Sequence, residues 1–201
     1  MNILRGIARL ARGRGEGMVE FPATVAGFLL SLTPTLGYAL ITSAAVVSQS
    51  DAGAGLLWLL FSLVGLLTPT VLSHAIARRW NREEDWLRYA TAYNWVQCAL
   101  PLAGIPMLFA IKVMVGFGLT VGAAAQFGLL GLFGYLMWLS WVMARAGLDL
   151  SRGRAVRFVV LVTLGTYGVV SAPGWVSAAI YGPEATTEPA AEPSDGVARG
   201  T

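Results

Sequence analysis

Charge is what this sequence has least of. Only 12% of its 201 residues are Asp, Glu, Lys or Arg, against about 25% in an ordinary soluble domain. Cys98 is the one cysteine and His74 the one histidine. A lone cysteine excludes a disulfide framework and a thiolate metal site. A lone histidine leaves a helix-borne zinc site, a bis-histidine haem and a Ser-His-Asp triad short of partners. The composition does not describe a conventional hydrolase or metalloenzyme, and no catalytic residue, metal or cofactor is expected.

What the chain has in excess is apolar surface, 56% of its residues, with mean hydropathy +0.64. Five stretches carry no Asp, Glu, Lys or Arg: Phe21–Ser50, Ala52–Ala77, Tyr89–Ile111, Val113–Ala144 and Phe158–Pro183. Each exceeds the ~20 residues that a helix needs to cross ~30 Å of hydrocarbon. Hydrocarbon offers a free backbone no hydrogen bond, so such segments span as helices. The expected fold is all-α, a polytopic membrane helical bundle with spans at about 24–49, 53–77, 87–111, 116–143 and 156–181. Residues 1–20 form an amphipathic N-terminal segment, 21–182 the transmembrane domain, and 183–201 a disordered tail that is small, acidic and proline-rich.

The few cations carry the topology. Arg5, Arg9, Arg12 and Arg14 precede the first span, Arg78, Arg79, Arg82 and Arg88 follow the second, and Arg145, Arg152, Arg154 and Arg157 follow the fourth. Twelve of fourteen basic residues thus belong on one side, with Lys112 and Arg199 on the other. Basic loops stay cytoplasmic, which gives an inner-membrane protein with its N-terminus in and its C-terminus on the periplasmic side. Because the arginines punctuate apolar runs rather than form a patch, nucleic acid is not an expected partner.

The first eighteen residues lack the continuous apolar core of a cleavable signal peptide. At 100° per residue Ile3, Leu4, Ile7, Leu10 and Ala11 share a face opposite Arg5, Arg9 and Arg12. That pattern predicts a short interfacial helix with its cations toward anionic headgroups, ended by Gly13, Gly15 and Gly17. Between spans two and three, Asn81 and Glu84 have the spacing of a capping box, with Glu83, Glu84 and Asp85 favourable to the dipole of the third span. The alternative for these acids is a metal or partner site.

No acid or base lies deep in a span, so the usual marks of a proton relay are missing. Small and polar residues nevertheless fall on stripes: Gly27, Ser31, Pro34, Tyr38, Thr42 and Ala45 in span one, Gly55, Ser62, Pro69 and Ser73 in span two, and Gly118, Gly122 and Ala125 with Gln126 in span four. Span three carries an intramembrane polar cluster, Tyr93, Asn94 and Gln97. Such residues act as glue between helices or line a binding groove, and glue is the plainer reading. Pro34, Pro69, Pro101 (with Pro106) and Pro173 are expected to kink their helices, and Thr33-Pro34-Thr35 and Thr68-Pro69-Thr70 put hydroxyls beside the freed carbonyls. Broken helices also mark transporter sites. Trp80, Trp86, Trp138 and Trp141 fit anchoring at the inner face, Trp58 and Trp175 at the outer.

His74-Ala-Ile-Ala-Arg-Arg-Trp, then Trp86-Leu-Arg-Tyr-Ala-Thr-Ala with Pro101 further on, resembles bacterial members of the Yip1 family. The resemblance covers roughly residues 20–182; Trp80-Asn81 stands where a small glycine-rich turn belongs. It implies five helices with the N-terminus in and the C-terminus out. Eukaryotic relatives are membrane-trafficking factors that associate with small GTPases, and the family offers no catalytic residue to transfer.

The expected function is therefore a non-enzymatic organiser or accessory subunit acting through helix association with the lipid bilayer, other membrane proteins or a second copy. The alternative is a transporter or channel component for an uncharged or lipid-like solute. A membrane enzyme stands third, since His74 and the Glu83–Asp85 acids are its only clustered candidates. Reporter fusions at Glu83, Leu150 and Asp195 should read inside, inside and outside; an inside signal at Asp195 would remove one span.

Overall fold

In the computed structural model, residues 2–49 and 52–181 are described. The tail assigned to 183–201 lies outside the described residues, as do the side chains of Pro173 and Trp175. The described residues form α1 (Ile3–Leu10), a 3-10 helix (Gly15–Glu20), α2 (Val25–Gln49), α3 (Ala52–Arg79), α4 (Glu83–Gly116), α5 (Val121–Gly147) and α6 (Arg152–Tyr181), with no strand among them. The five helices α2 to α6 are each long and apolar enough to cross a membrane. The chain is an all-helical, multi-pass membrane protein.

The helices differ from the charge-free runs at their ends. α4 starts at Glu83 rather than 87 and passes through Lys112 to Gly116, because an exposed lysine can carry its ammonium outward along the helix without breaking it. α5 starts at Val121 rather than 116. Its first amides are capped by Thr120, whose hydroxyl accepts from the Ala123 N–H at 3.3 Å.

Four helices end in one way. Gly13, Asn81, Gly118 and Asp149 are the residues with positive φ, at 75°, 57°, 95° and 46°. Each is the left-handed residue after a helix whose next N–H returns to the carbonyl five positions back: Arg14 to Arg9, Arg82 to Ala77, Leu119 to Met114 and Leu150 to Arg145, at 2.8–3.3 Å. Two sequence expectations change as a result. Asn81 does not open α4 through a capping box; it closes α3, and Arg82 precedes α4 without a side-chain cap. Asparagine suits both tasks, but the left-handed conformation removes it from the N-cap geometry. Gly118 is likewise a turn residue rather than part of a packing stripe. Glu83, Glu84 and Asp85 do occupy the first turn of α4.

The five long helices close a ring in the order α2, α3, α6, α5, α4, with α3 also touching α4 across it. The buried apolar cluster sits at one end of that ring. Its members come from the start of α4 (Tyr89, Ala92, Val96), the end of α5 (Leu139, Val142, Met143), the start of α6 (Ala155, Phe158, Val159) and the neighbouring loops (Leu148, Leu150). Arg82 joins the two loops at this end through Asp149 at 3.3 Å. Toward the opposite end, Leu56, Leu108, Phe117 and Val121 are exposed.

The N-terminal segment closes the packed end. Leu10 is fully buried, Met18 and Phe21 nearly so, and Ile3 and Ile7 pack on the same cluster. Gly147 allows the approach: a Cβ there would stand 2.6 Å from Met18 Cε. Tyr135 donates to the Ala11 carbonyl at 2.9 Å, and Arg9 pairs with Glu20 at 3.4 Å. The apolar side of α1 is therefore turned largely into protein, and Leu4, 78% exposed, and the small Ala11 depart from it. Asn81→Val should lower stability by about 1–2 kcal/mol, the cost of a left-handed L-residue, while Asn81→Gly should not; thermal unfolding in mild detergent reads the difference.

Candidate functional site

The polar cluster of span three lies on α4 near the middle of the ring. Asn94 is buried, and its Nδ2 donates to Ser31 Oγ on α2 at 3.0 Å. Ser31 in turn donates to the Phe28 carbonyl at 2.6 Å. A turn further along, the Thr35 hydroxyl meets Cys98 Sγ at 3.2 Å. These contacts tie α2 to α4 inside the hydrocarbon. Gln97 behaves differently: its Nε2 donates to Tyr93 Oη at 2.8 Å, one turn back on the same helix. The Tyr93–Gln97 pair separates two cavities, one of about 340 Å³ between α4, α5 and α6, the other of about 250 Å³ between α2, α3 and α4. Thr166 on the wall of the larger cavity, and Thr70 elsewhere, have buried hydroxyls without a partner.

The stripes meet mixed fates. In α2 the buried positions are Ser31, Ala39 and Ser43, whereas Pro34 and Tyr38 face outward. The packing face is thus rotated from the expected one, because Asn94 of α4 and Gly55 of α3 engage Ser31 and Ser43. In α3 the expected Gly55, Pro69 and Ser73 are buried. A Cβ at Gly55 would collide with Val47. In α5 Gly122 and Gln126 are exposed, and the glycine that packs is Gly128, 3.0 Å from Ile111 Cγ1 to an added Cβ.

The helices run unbroken through Pro34, Pro69, Pro101 and Pro106, and α6 through position 173. Thr68 Oγ1 donates to the Val64 carbonyl at 2.6 Å, one residue short of the Gly65 carbonyl that Pro69 leaves free. The expected hydroxyl rescue is not made there.

His74, Trp86 and the first turn of α4 come together. The His74 ring meets Trp86 edge-on at 4.5 Å, Trp86 Nε1 donates to Ser73 at 3.1 Å, and His74 Nε2 lies 3.5 Å from Glu83. Among the described residues no three of His, Cys, Asp and Glu converge as metal ligands would. Arg82 is held by Asp149 and Asp85. Trp80 packs on Phe158, so it and Trp86 fasten helices rather than face lipid alone.

A cavity of about 630 Å³, larger than the two beside Tyr93 and Gln97, is an apolar groove between α4 and α5. Its walls are low because small residues face one another: Ala99, Ala103 and Ala110 on α4, Gly128 and Gly131 on α5. Ile7, Ala11 and Tyr135 line it at the end where α1 sits. Leu100 and Leu102 line it too, Leu102 remaining 67% exposed. Sequence reasoning passed over this groove. The signal was Ala99-x3-Ala103 opposite Gly128-x2-Gly131, legible only once α4 and α5 are known to be adjacent.

Compared with family models, with curated proteins and with solved structures, the chain matches none.

Asn94→Leu should lower thermal stability in detergent by about 0.6–2 kcal/mol. In a cycle with Ser31→Ala the two losses should be sub-additive, since one bond is removed by either change. Full additivity would deny the bond, and Leu108→Ala, at an exposed position, provides a nearly silent control.

Proposed function

We propose that this multi-pass membrane protein is non-enzymatic and works by association within the bilayer, as an organiser or accessory subunit of the inner membrane. The observation that supports the reading is how its polar intramembrane groups are used. Asn94, Ser31, Thr35 and Cys98 are engaged between α2 and α4, and the open groove between α4 and α5 is apolar. An apolar groove in lipid offers shape rather than chemistry, which suits holding a neighbour in place. The basic end is cytoplasmic in this reading, following the positive-inside rule. The likeness of the His74–Trp80 and Trp86–Ala92 stretches to the Yip1 family points in the same direction, toward a role in organising membrane components.

A second reading has its own observation. The two cavities on either side of Tyr93 and Gln97 would form a path for an uncharged solute if that pair parted. Hydrocarbon-buried amides with room beside them are found along such paths as well as at helix contacts.

One experiment separates the two. Asn94→Leu with Gln97→Leu should lower thermal stability or disrupt a complex recovered after gentle extraction, and leave solute flux into vesicles unchanged. Unchanged stability with lost uptake would overturn the accessory reading and promote the conduit.

A further inference from the structure

We infer that the α4–α5 groove and the polar pocket beside it form one site for an anionic phospholipid, an acyl chain in the groove and the phosphate at the basic end. This goes beyond the accessory role and requires only that the chain sit in a bilayer.

The groove has the dimensions of a chain site. From Val96 to Met114 its α4 wall runs 19 residues, a rise of about 27 Å at 1.5 Å per step, against ~30 Å for the hydrocarbon core. Its volume of about 630 Å³ falls within the ~300–1,000 Å³ of small-ligand sites. A Cβ at Gly131 would meet nothing within 4 Å, so the space is open at mid-depth.

A headgroup site adjoins it. Tyr135 lines that end of the groove and stacks at a tilt on Trp138, ring centroids 5.8 Å apart. On the other side of Trp138 lies a pocket of about 300 Å³ framed by Gly13, Gly15, Trp141 and Arg145. The Arg145 guanidinium is held 5.0 Å above the Trp141 ring. Trp141 itself donates to the Arg152 carbonyl at 3.3 Å, so the platform under the cation is fixed. An arginine fork over an aromatic plane suits phosphate, and tryptophans suit the headgroup level.

The charges around the pocket select the lipid class. Arg12, Arg14 and Arg145 are exposed and enter none of the ion pairs among the described residues. Glu16 is the exposed acid beside them; Glu20 is committed to Arg9. The excess is positive at the level where the cytoplasmic leaflet is negative. The same excess argues against a second copy in the groove. Two copies in one membrane share an orientation, so their unpaired arginines would meet at one depth.

The test is native mass spectrometry of the full chain in mild detergent with phosphatidylglycerol and phosphatidylcholine of identical acyl chains. The protein should retain phosphatidylglycerol in at least about tenfold preference, each basic residue near such a surface being worth about fivefold. Arg145→Gln should cut the preference about fivefold, and Arg12→Gln, Arg14→Gln and Arg145→Gln together should abolish it, with retention of phosphatidylcholine, whose phosphate is balanced by its own choline, falling less. Gly131→Leu, or Ala103→Leu should the first fail to fold, fills the groove and should lower retention of both lipids equally. Equal retention of the two lipids by the unaltered chain would overturn the site. So would a folded triple variant with the original preference, or cross-linking between copies through a cysteine at position 131.

Discussion

Inside hydrocarbon an apolar side chain gains no hydrophobic free energy by leaving lipid for another helix. Water supplies that gain only where it reaches, at the ends of the spans. The distribution of buried residues follows this constraint. Leu10, Met18, Phe21, Leu148, Leu150 and Phe158 gather at the basic end, where the 3-10 helix and two loops meet the bases of α4, α5 and α6. Deeper in, the helices are joined by short polar links and close glycine contacts: Asn94 to Ser31, Ser43 Oγ to the Gly55 carbonyl.

A bundle clamped at one end is free to part at the other. Beyond the Asn94 level the groove runs between the small residues of α4 and α5, and Ile105, Phe109 and Leu130 turn outward. The polar link and the groove lie on different sides of α4. Ser31 and Thr35 hold one side to α2, while Ala99 and Ala103 present the other to the gap beside α5. Of the amides that attract attention in the sequence, Asn94 bonds across to α2 and Gln97 back along α4, and the open surface is made of alanines and glycines that carry no chemical label.

Legibility in the sequence follows the range of the forces involved. Five spans are written in composition, because exclusion of charge from hydrocarbon acts on each segment separately. The glycine break after α1 and the acidic first turn of α4 are also local, and both are present. What failed depended on a choice between two neighbouring roles. Asn81 had the spacing for an N-cap but adopts φ 57° and ends the preceding helix. Gly118 had small-xxx-small spacing but makes a turn, at φ 95°. The α2 face was rotated because its partner, Asn94, comes 63 residues later. The groove required knowing which helices are neighbours, and no single helix carries that.

The hook that closes the packed end is made from the first residues of the chain and rests on some of the last. The Tyr135 bond to Ala11 spans 124 residues, and synthesis at roughly 5–20 residues per second separates its two ends by roughly 6–25 s. For that interval α1 has its apolar face and no bundle to receive it. The cover of the amphipathic helix is thus written far along the chain from the helix itself, in the bases of α4 and α5, and the packed end is whole only when Ala155 and Phe158 of α6 have joined it.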